Sequence, residues 1–224
     1  MVHGEMGPLA RTIEFAFIVI AVGLLAAHLV RFASADGLTW WWPIPVVLGL
    51  IAADFGSGLV HWAADTWGSE TMPVLGRRFV RPFRVHHDNP DDFLERDFID
   101  TNGDVAMVET PLLLLAFALP LTTDWGQAGA FFIFALCAAG LPTNQVHQWA
   151  HMRDPPLLVR KLQACGCILS RAAHQKHHTA PYVVNYCIVT GWCNRALTSL
   201  RFFPRVETLV NRITGLQARS DARV

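Results

Sequence analysis

Apolar residues along the chain gather into four long runs, residues 13–30, 44–62, 105–121 and 128–146, separated by polar connections. A helix needs about 20 mostly apolar residues to cross the hydrocarbon of a bilayer. The pattern therefore predicts four transmembrane helices with both chain ends on one side. Ala33-Ser34-Ala35 resembles a signal cleavage site, but the first run is longer than the roughly 7–15 apolar residues of a signal peptide, so a retained helix is expected. Beyond the fourth run, Val206, Leu209, Val210 and Ile213 lie at helical spacing between Pro204, suited to a helix start, and Gly215, suited to a stop. This amphipathic helix is too short to span, so it should lie in the headgroup plane or pack beneath the site described below. No repeat or linker divides residues 1–224, which read as one domain with a loose tail at 218–224.

Charge orients the bundle. Arg77, Arg78, Arg81, Arg84 and Arg96 lie between the second and third runs and eleven Lys or Arg follow the fourth, whereas the two opposite connections share only Arg31. By the positive-inside rule the central connection and the C-terminal region are cytoplasmic, in a bacterial inner membrane or the endoplasmic reticulum. Topology alone explains the cluster; contact with a lipid headgroup, through Arg81 and Arg84, is the functional alternative. Hydrophobic residues make up 52% of the chain and charged ones 16%, so lipid serves as part of its solvent. With a formal net charge of zero there is no basic field to hold a nucleic acid. Five cysteines, Cys137, Cys165, Cys167, Cys187 and Cys193, lack paired zinc spacing and read as free thiols in a reducing compartment.

Eight of the ten histidines fall in four groups: His61; His86 and His87; His147 and His151; and His174, His177 and His178. Residues four apart share a helix face, so His147 and His151 can address one metal, and His61 and Asp65 repeat the spacing at the end of the second run. The predicted topology carries all four groups to the arginine-rich side. His28 falls at the opposite face and is read as structural; His3 is a terminal residue without a role. Imidazole suits zinc, copper, iron and nickel. A catalytic zinc needs only three protein ligands, and no His-Glu-x-x-His occurs. Eight imidazoles divide into two sets of four with an open position at each metal for dioxygen, and two irons are the economical reading. Such a pair makes an oxidant able to attack an unactivated hydrocarbon, which no side chain can do.

These residues stand in stretches that resemble the plasmanylethanolamine desaturases, a family of lipid desaturases: HWAADTWGS (61–69), RPFRVHHDNP (81–90), RDFIDTNGD (96–104), TNQVHQWAH (143–151), HQKHH (174–178) and YCIVTGWCN (186–194). The resemblance runs from about His61 to Gly215, within a family-like core of about 44–215. It implies an oxidoreductase that reduces dioxygen to water while introducing the vinyl-ether double bond of plasmalogens into 1-O-alkyl phospholipids. It further implies two irons held by the eight histidines and an external electron donor such as a b-type cytochrome or ferredoxin. Asp65 matches a family acid. The alternatives are a desaturase or hydroxylase of acyl chains on glycerolipids, and a non-enzymatic metal-binding membrane protein.

Other positions carry weaker expectations. Asp54 lies seven residues before His61, about 10 Å deeper at the usual helical rise, and is expected to make a polar helix contact, with a substrate or proton path as the alternative; Glu109 also lies in an apolar run. Asp65 is the catalytic candidate, expected to orient a ligand or act through water, with direct ligation as the alternative. Asn144 shares a face with His147 and His151, so it serves either the surroundings of the metals or an interhelical contact. Trp40, Trp41 and Trp42 suit an interfacial belt. Trp62, Trp67 and Trp149 neighbour the ligands and either wall off the oxidant or simply pack. The whole reads as an all-α membrane bundle of four spans with a cytoplasmic helical cap around a dinuclear centre.

Overall fold

The computed structural model describes residues 7–219, and every regular element among them is a helix. They form two compact units, one of residues 7–53 and Arg96–Gln145, the other of Asp54–Glu95 and residues 146–219. His3 and residues 220–224 of the expected tail lie outside the described residues.

The first unit is built on α1 (Pro8–Ala33), the first half of α2 (Pro43–Thr66), α5 (Phe98–Ala118) and α6 (Asp124–Gly140). Its core joins Ile18, Ala21, Ala106, Leu113, Cys137 and Leu141. Both ends of α5 are tied down by side chains. The Asp97 carboxylate caps the start by accepting from the Asp100 N–H at 3.0 Å. Arg31 satisfies the end by donating to the carbonyls of Ala116, at 2.8 Å, and Leu119. His28 is buried, donates to the Leu113 carbonyl at 3.0 Å and stacks on Phe117, the structural role expected of it. A Cβ at Gly103 would come within 2.5 Å of Glu14, so glycine is what lets α1 and α5 approach closely here.

Three helices are long and apolar enough to cross a membrane: Pro8–Ala33, Pro43–Thr66 and Asp124–His151, the last made of α6 with α7 (Thr143–His151). The run at 105–121, expected as the third span, is not among these three. It lies in α5, which starts back at Phe98 and carries Asp100, Asp104 and Glu109. The described residues thus hold three qualifying helices where the sequence predicts four. Large apolar side chains cover the outer faces: Phe15 and Val30 are 53% and 66% exposed on α1, and Ile44 and Leu48 57% and 51% on α2. Such continuous apolar surface belongs in lipid. The chain is a membrane protein.

The second unit holds the rest of α2, a π-helical turn at Gly76–Val80, and the short helices α3 (Arg81–Asp88), α4 (Pro90–Leu94), α8 (Leu157–Ala164), α9 (Arg171–His177), α10 (Trp192–Ser199) and α11 (Phe202–Thr214). The predicted amphipathic helix is α11, begun two positions before Pro204 and closed by Gly215 at φ 75°. Phe203 packs with Trp62 and Tyr186, and the Trp62 indole donates to Glu207 at 2.9 Å. One face of α11 is thereby buried within the unit; Leu209 and Ile213 remain 54% and 75% exposed.

Candidate metal centre

All eight predicted histidines, with Asp65, lie in the second unit. The last turns of α2 bring His61 and Asp65 to one face, α3 supplies His86 and His87, and α7 supplies His147 and His151. Ser170 caps α9 by accepting from the Ala173 N–H at 3.2 Å, which starts the turn that presents His174, His177 and the C-cap His178. The structure gathers these groups into two sets. His86, His147, His151, His174 and His178 form one; His61, Asp65, His87 and His177 form the other, with ligand atoms within 4.8 Å of one another in each. The even division expected from the sequence gives way to five imidazoles against three and a carboxylate. Asp65 stands among its imidazoles rather than behind them, its Oδ2 at 3.4, 3.1 and 3.5 Å from the Nε2 atoms of His61, His87 and His177.

The donor atoms suit a cation. His61 and His177 donate through Nδ1 to the carbonyls of Tyr186, at 3.1 Å, and Val184, at 2.9 Å. That fixes the tautomer and turns the Nε2 lone pair of each ring inward. Nε2 atoms meet at 2.8 Å between His147 and His174, 3.1 Å between His178 and His86, and 3.2 Å between His177 and His87. For a metal–nitrogen bond of about 2.1 Å, neighbouring donors sit roughly 3.0 Å apart at right angles and roughly 3.4 Å apart at tetrahedral angles. His61 Nε2 and Asp65 Oδ1 are buried without a hydrogen-bond partner, the condition a coordinated ion relieves. Burial first, then the neighbouring imidazoles, holds His86, His174 and His178 well below the usual imidazole range. Both effects favour the neutral ring, the form that coordinates a metal.

The loop that orients His61 and His177 is itself anchored by Asp54. This fully buried carboxylate accepts from the N–H groups of Thr190 and Gly191, each at 2.8 Å, through Oδ1, and from Cys193 at 2.9 Å through Oδ2. Gly191 is the N-cap of α10 and has no side chain to cap with, so Asp54 supplies the negative group from α2. Asn194 adds a reciprocal pair with the backbone of Cys187, both bonds at 2.9 Å, and Ser57 accepts from the Ile188 N–H at 3.0 Å. The polar helix contact expected of Asp54 is a loop anchor.

Other candidates fall elsewhere. Asn144 donates to the Thr101 carbonyl and its N–H bonds the Asn102 side chain at 3.1 Å, which is the interhelical alternative. Arg84 donates to the carbonyls of Trp67 and Gly68 at 3.1 and 2.7 Å. Trp62 and Trp67 pack edge to face and Trp149 joins the Val146 and Leu169 cluster. The rings against the imidazoles include Phe93, 5.1 and 4.9 Å from His86 and His147, Phe83, 5.2 Å from His61, and Tyr186, 5.0 Å from His177; none of the three stood out in the sequence. An open cleft of about 560 Å³ reaches the five-histidine set at His151 and His178, with Arg153 and Arg171 among its lining residues. No disulfide joins the five cysteines.

Comparison with known proteins agrees with this geometry. The family profile described as lipid desaturase domain matches residues 50–221. The chain is 42% identical to a plasmanylethanolamine desaturase of Myxococcus xanthus over 96% of its own length and 76% of that protein's. It is 40% identical to plasmanylethanolamine desaturase 1 of Mus musculus, over 93% and 80%. It is 38% identical to the chloroplastic fatty acid desaturase 4 of Arabidopsis thaliana, over 77% of this chain but 52% of that one. No solved structure matches. A membrane helix bundle with two converging sets of imidazole donors, matched by this profile over most of its length, places the chain in the lipid desaturase family.

Proposed function

We propose that the protein is a di-iron, dioxygen-dependent desaturase that converts 1-O-alkyl phospholipids to their 1-alkenyl forms. The observation that carries the metal reading is the convergence of eight imidazoles and one carboxylate on two adjacent points. His86, His147, His151, His174 and His178 would hold one iron; His61, Asp65, His87 and His177 would hold the other. Two irons so held supply the redox power to activate dioxygen and abstract hydrogen from an unactivated carbon chain. Overall, two hydrogens leave adjacent carbons of the lipid, two electrons arrive one at a time from an external donor such as a b-type cytochrome or ferredoxin, two protons arrive from water, and dioxygen becomes two waters. The protein holds one carbon pair beside the donors, because position decides which bond reacts. Phe83 and Phe93 wall the imidazoles with apolar surface, and Arg81 meets the lipid headgroup. The α5 helix serves as a fourth span, with Glu109 buried in protein and the donors on the cytoplasmic side.

What supports the ether substrate is the pair of relatives named plasmanylethanolamine desaturase, which align over more of both chains than fatty acid desaturase 4 does. That plant relative favours the second reading, desaturation of an acyl chain. Incubating reduced, iron-loaded enzyme with a 1-O-alkyl phospholipid and its diacyl counterpart separates them: vinyl ether from the first is expected, and desaturation of the diacyl lipid alone would overturn the plasmalogen reading.

A further inference from the structure

Cys165 and Cys167 play no part in the donor sets, yet the fold brings them together at an exposed turn. Helix α8 ends in a Schellman turn: the Gly166 N–H bonds the Gln163 carbonyl at 3.2 Å and the Cys167 N–H bonds the Leu162 carbonyl at 2.9 Å. Gly166 takes the left-handed conformation this turn requires, at φ 73°. The two flanking side chains consequently meet, with Sγ atoms 3.2 Å apart, and both residues are exposed. Sharing one proton pulls the Cys165 thiol below the usual thiol range and pushes that of Cys167 above it.

The turn is wired to the ligand helix. The Trp192 indole donates to the Gly166 carbonyl at 2.8 Å, the Leu169 N–H bonds the Val189 carbonyl at 2.9 Å, and Gln163 donates to the Leu169 carbonyl at 3.1 Å. The residue after Leu169 is Ser170, the cap of α9. These bonds link the Cys165–Cys167 turn to the residue just before the cap of the helix bearing His174 and His177.

We propose that Cys165 and Cys167 form a thiol–disulfide exchange site for small aliphatic disulfides, and that its closure disturbs the start of α9 and lowers turnover. The Cys165 thiolate attacks one sulfur of RSSR and expels RS⁻. The Cys167 thiolate then attacks the Cys165 sulfur of the mixed disulfide and expels the second RS⁻. The chain is oxidised by two electrons, RSSR is reduced to two RSH, and the two cysteine protons pass to the departing thiolates. A disulfide exposed at such a turn belongs to the labile, readily exchanged class.

Oxidised glutathione is the probe, applied to the iron-loaded protein after purification under reductant. Expected are loss of two free thiols without retained glutathione, a stable glutathione adduct on Cys165 in Cys167→Ser, faster amide exchange over residues 169–178 in the closed form, and a loss of turnover that dithiothreitol reverses. The double variant Cys165→Ser with Cys167→Ser should keep its turnover under glutathione disulfide. Three results overturn the proposal: a wild-type adduct that never closes, a fatty acyl group found on either sulfur as isolated, or closure that leaves α9 exchange unchanged. Mass, thiol count and amide exchange do not depend on which lipid is the substrate.

Discussion

The two donor sets are built on different principles. In the set with Asp65, two imidazoles are fixed from behind by backbone carbonyls of one loop, His61 and His177 have no solvent exposure, and a carboxylate supplies negative charge. In the five-histidine set every donor is a ring nitrogen, and His151 and His178 border an open cleft. Neutral imidazoles leave the whole charge of a bound ion uncompensated, whereas a carboxylate offsets part of it in a low-dielectric site. One set is thus made for retention and the other for access. On the proposed function, a desaturase that admits dioxygen and electrons while keeping its metals has use for both.

The comparison breaks most sharply on the ligands themselves. His177→Ala should empty the carboxylate set and His147→Ala the five-histidine set, each taking iron from about two per chain to about one or fewer, with activity falling beyond the roughly 10–100-fold typical of outer-shell losses. Iron analysis beside turnover checks both. If retention belongs to the set with Asp65, chelator should strip the His147→Ala protein of its remaining iron more slowly than the His177→Ala protein; equal stripping rates would refute the contrast, and stoichiometric zinc in active protein would refute iron altogether.

Asp65→Asn comes next, because it keeps the shape of the group and removes its charge. As a member of the set, Asp65 should carry one iron with it, giving about one iron per chain and a loss of at least roughly 100-fold in rate. A variant that keeps both irons and loses only rate would return Asp65 to an orienting role.

Much of this site was legible in the sequence for a physical reason: spacings of three and four residues survive folding wherever the segment is helical, and the ligands ride on α2, α3, α7 and α9. Asp65 was visible by the same rule, four residues from His61. The partition into sets was not, since it depends on how four separate helices are placed. The role of Asp54 was hidden more deeply: its partners are backbone N–H groups of residues 190, 191 and 193, and an N–H carries no sequence signal. The same holds for the carbonyls of Val184 and Tyr186. The run at 105–121 is less plain than the other three, because α5 is one helix with a polar first half, capped at Asp97.

The loop anchor offers a subtler way to sharpen the contrast, because it supports only the carboxylate set directly. Asp54→Asn keeps one acceptor oxygen but must relinquish part of the three-donor network, so roughly a tenfold loss of rate is expected, at the mild end of outer-shell effects. Iron should be lost first from the set with His61 and His177. Asp54→Leu, which leaves all three N–H groups without an acceptor, should be far worse. Spectroscopy that resolves the two irons checks the order; preferential loss from the five-histidine set would contradict the wiring through Val184 and Tyr186.

The smallest effect expected is on lipid capture. Two of the arginines near the donors are committed to backbone carbonyls, Arg84 to Trp67 and Gly68 and Arg171 to His151, so reversing either disturbs structure as well as charge. Arg81, on the first turn of α3, is the residue on which the headgroup reading is tested. A basic side chain near an anionic surface is worth about 1 kcal/mol, which corresponds to about fivefold in affinity. Arg81→Glu should therefore raise KM for phospholipid by at least about fivefold, with kcat and iron content close to wild type. The shift should shrink at high salt, because the attraction is screened beyond about one Debye length. An unchanged KM at low salt would remove Arg81 from the substrate path, and a fall in iron content instead would place it in the architecture that holds α3 and its two histidines.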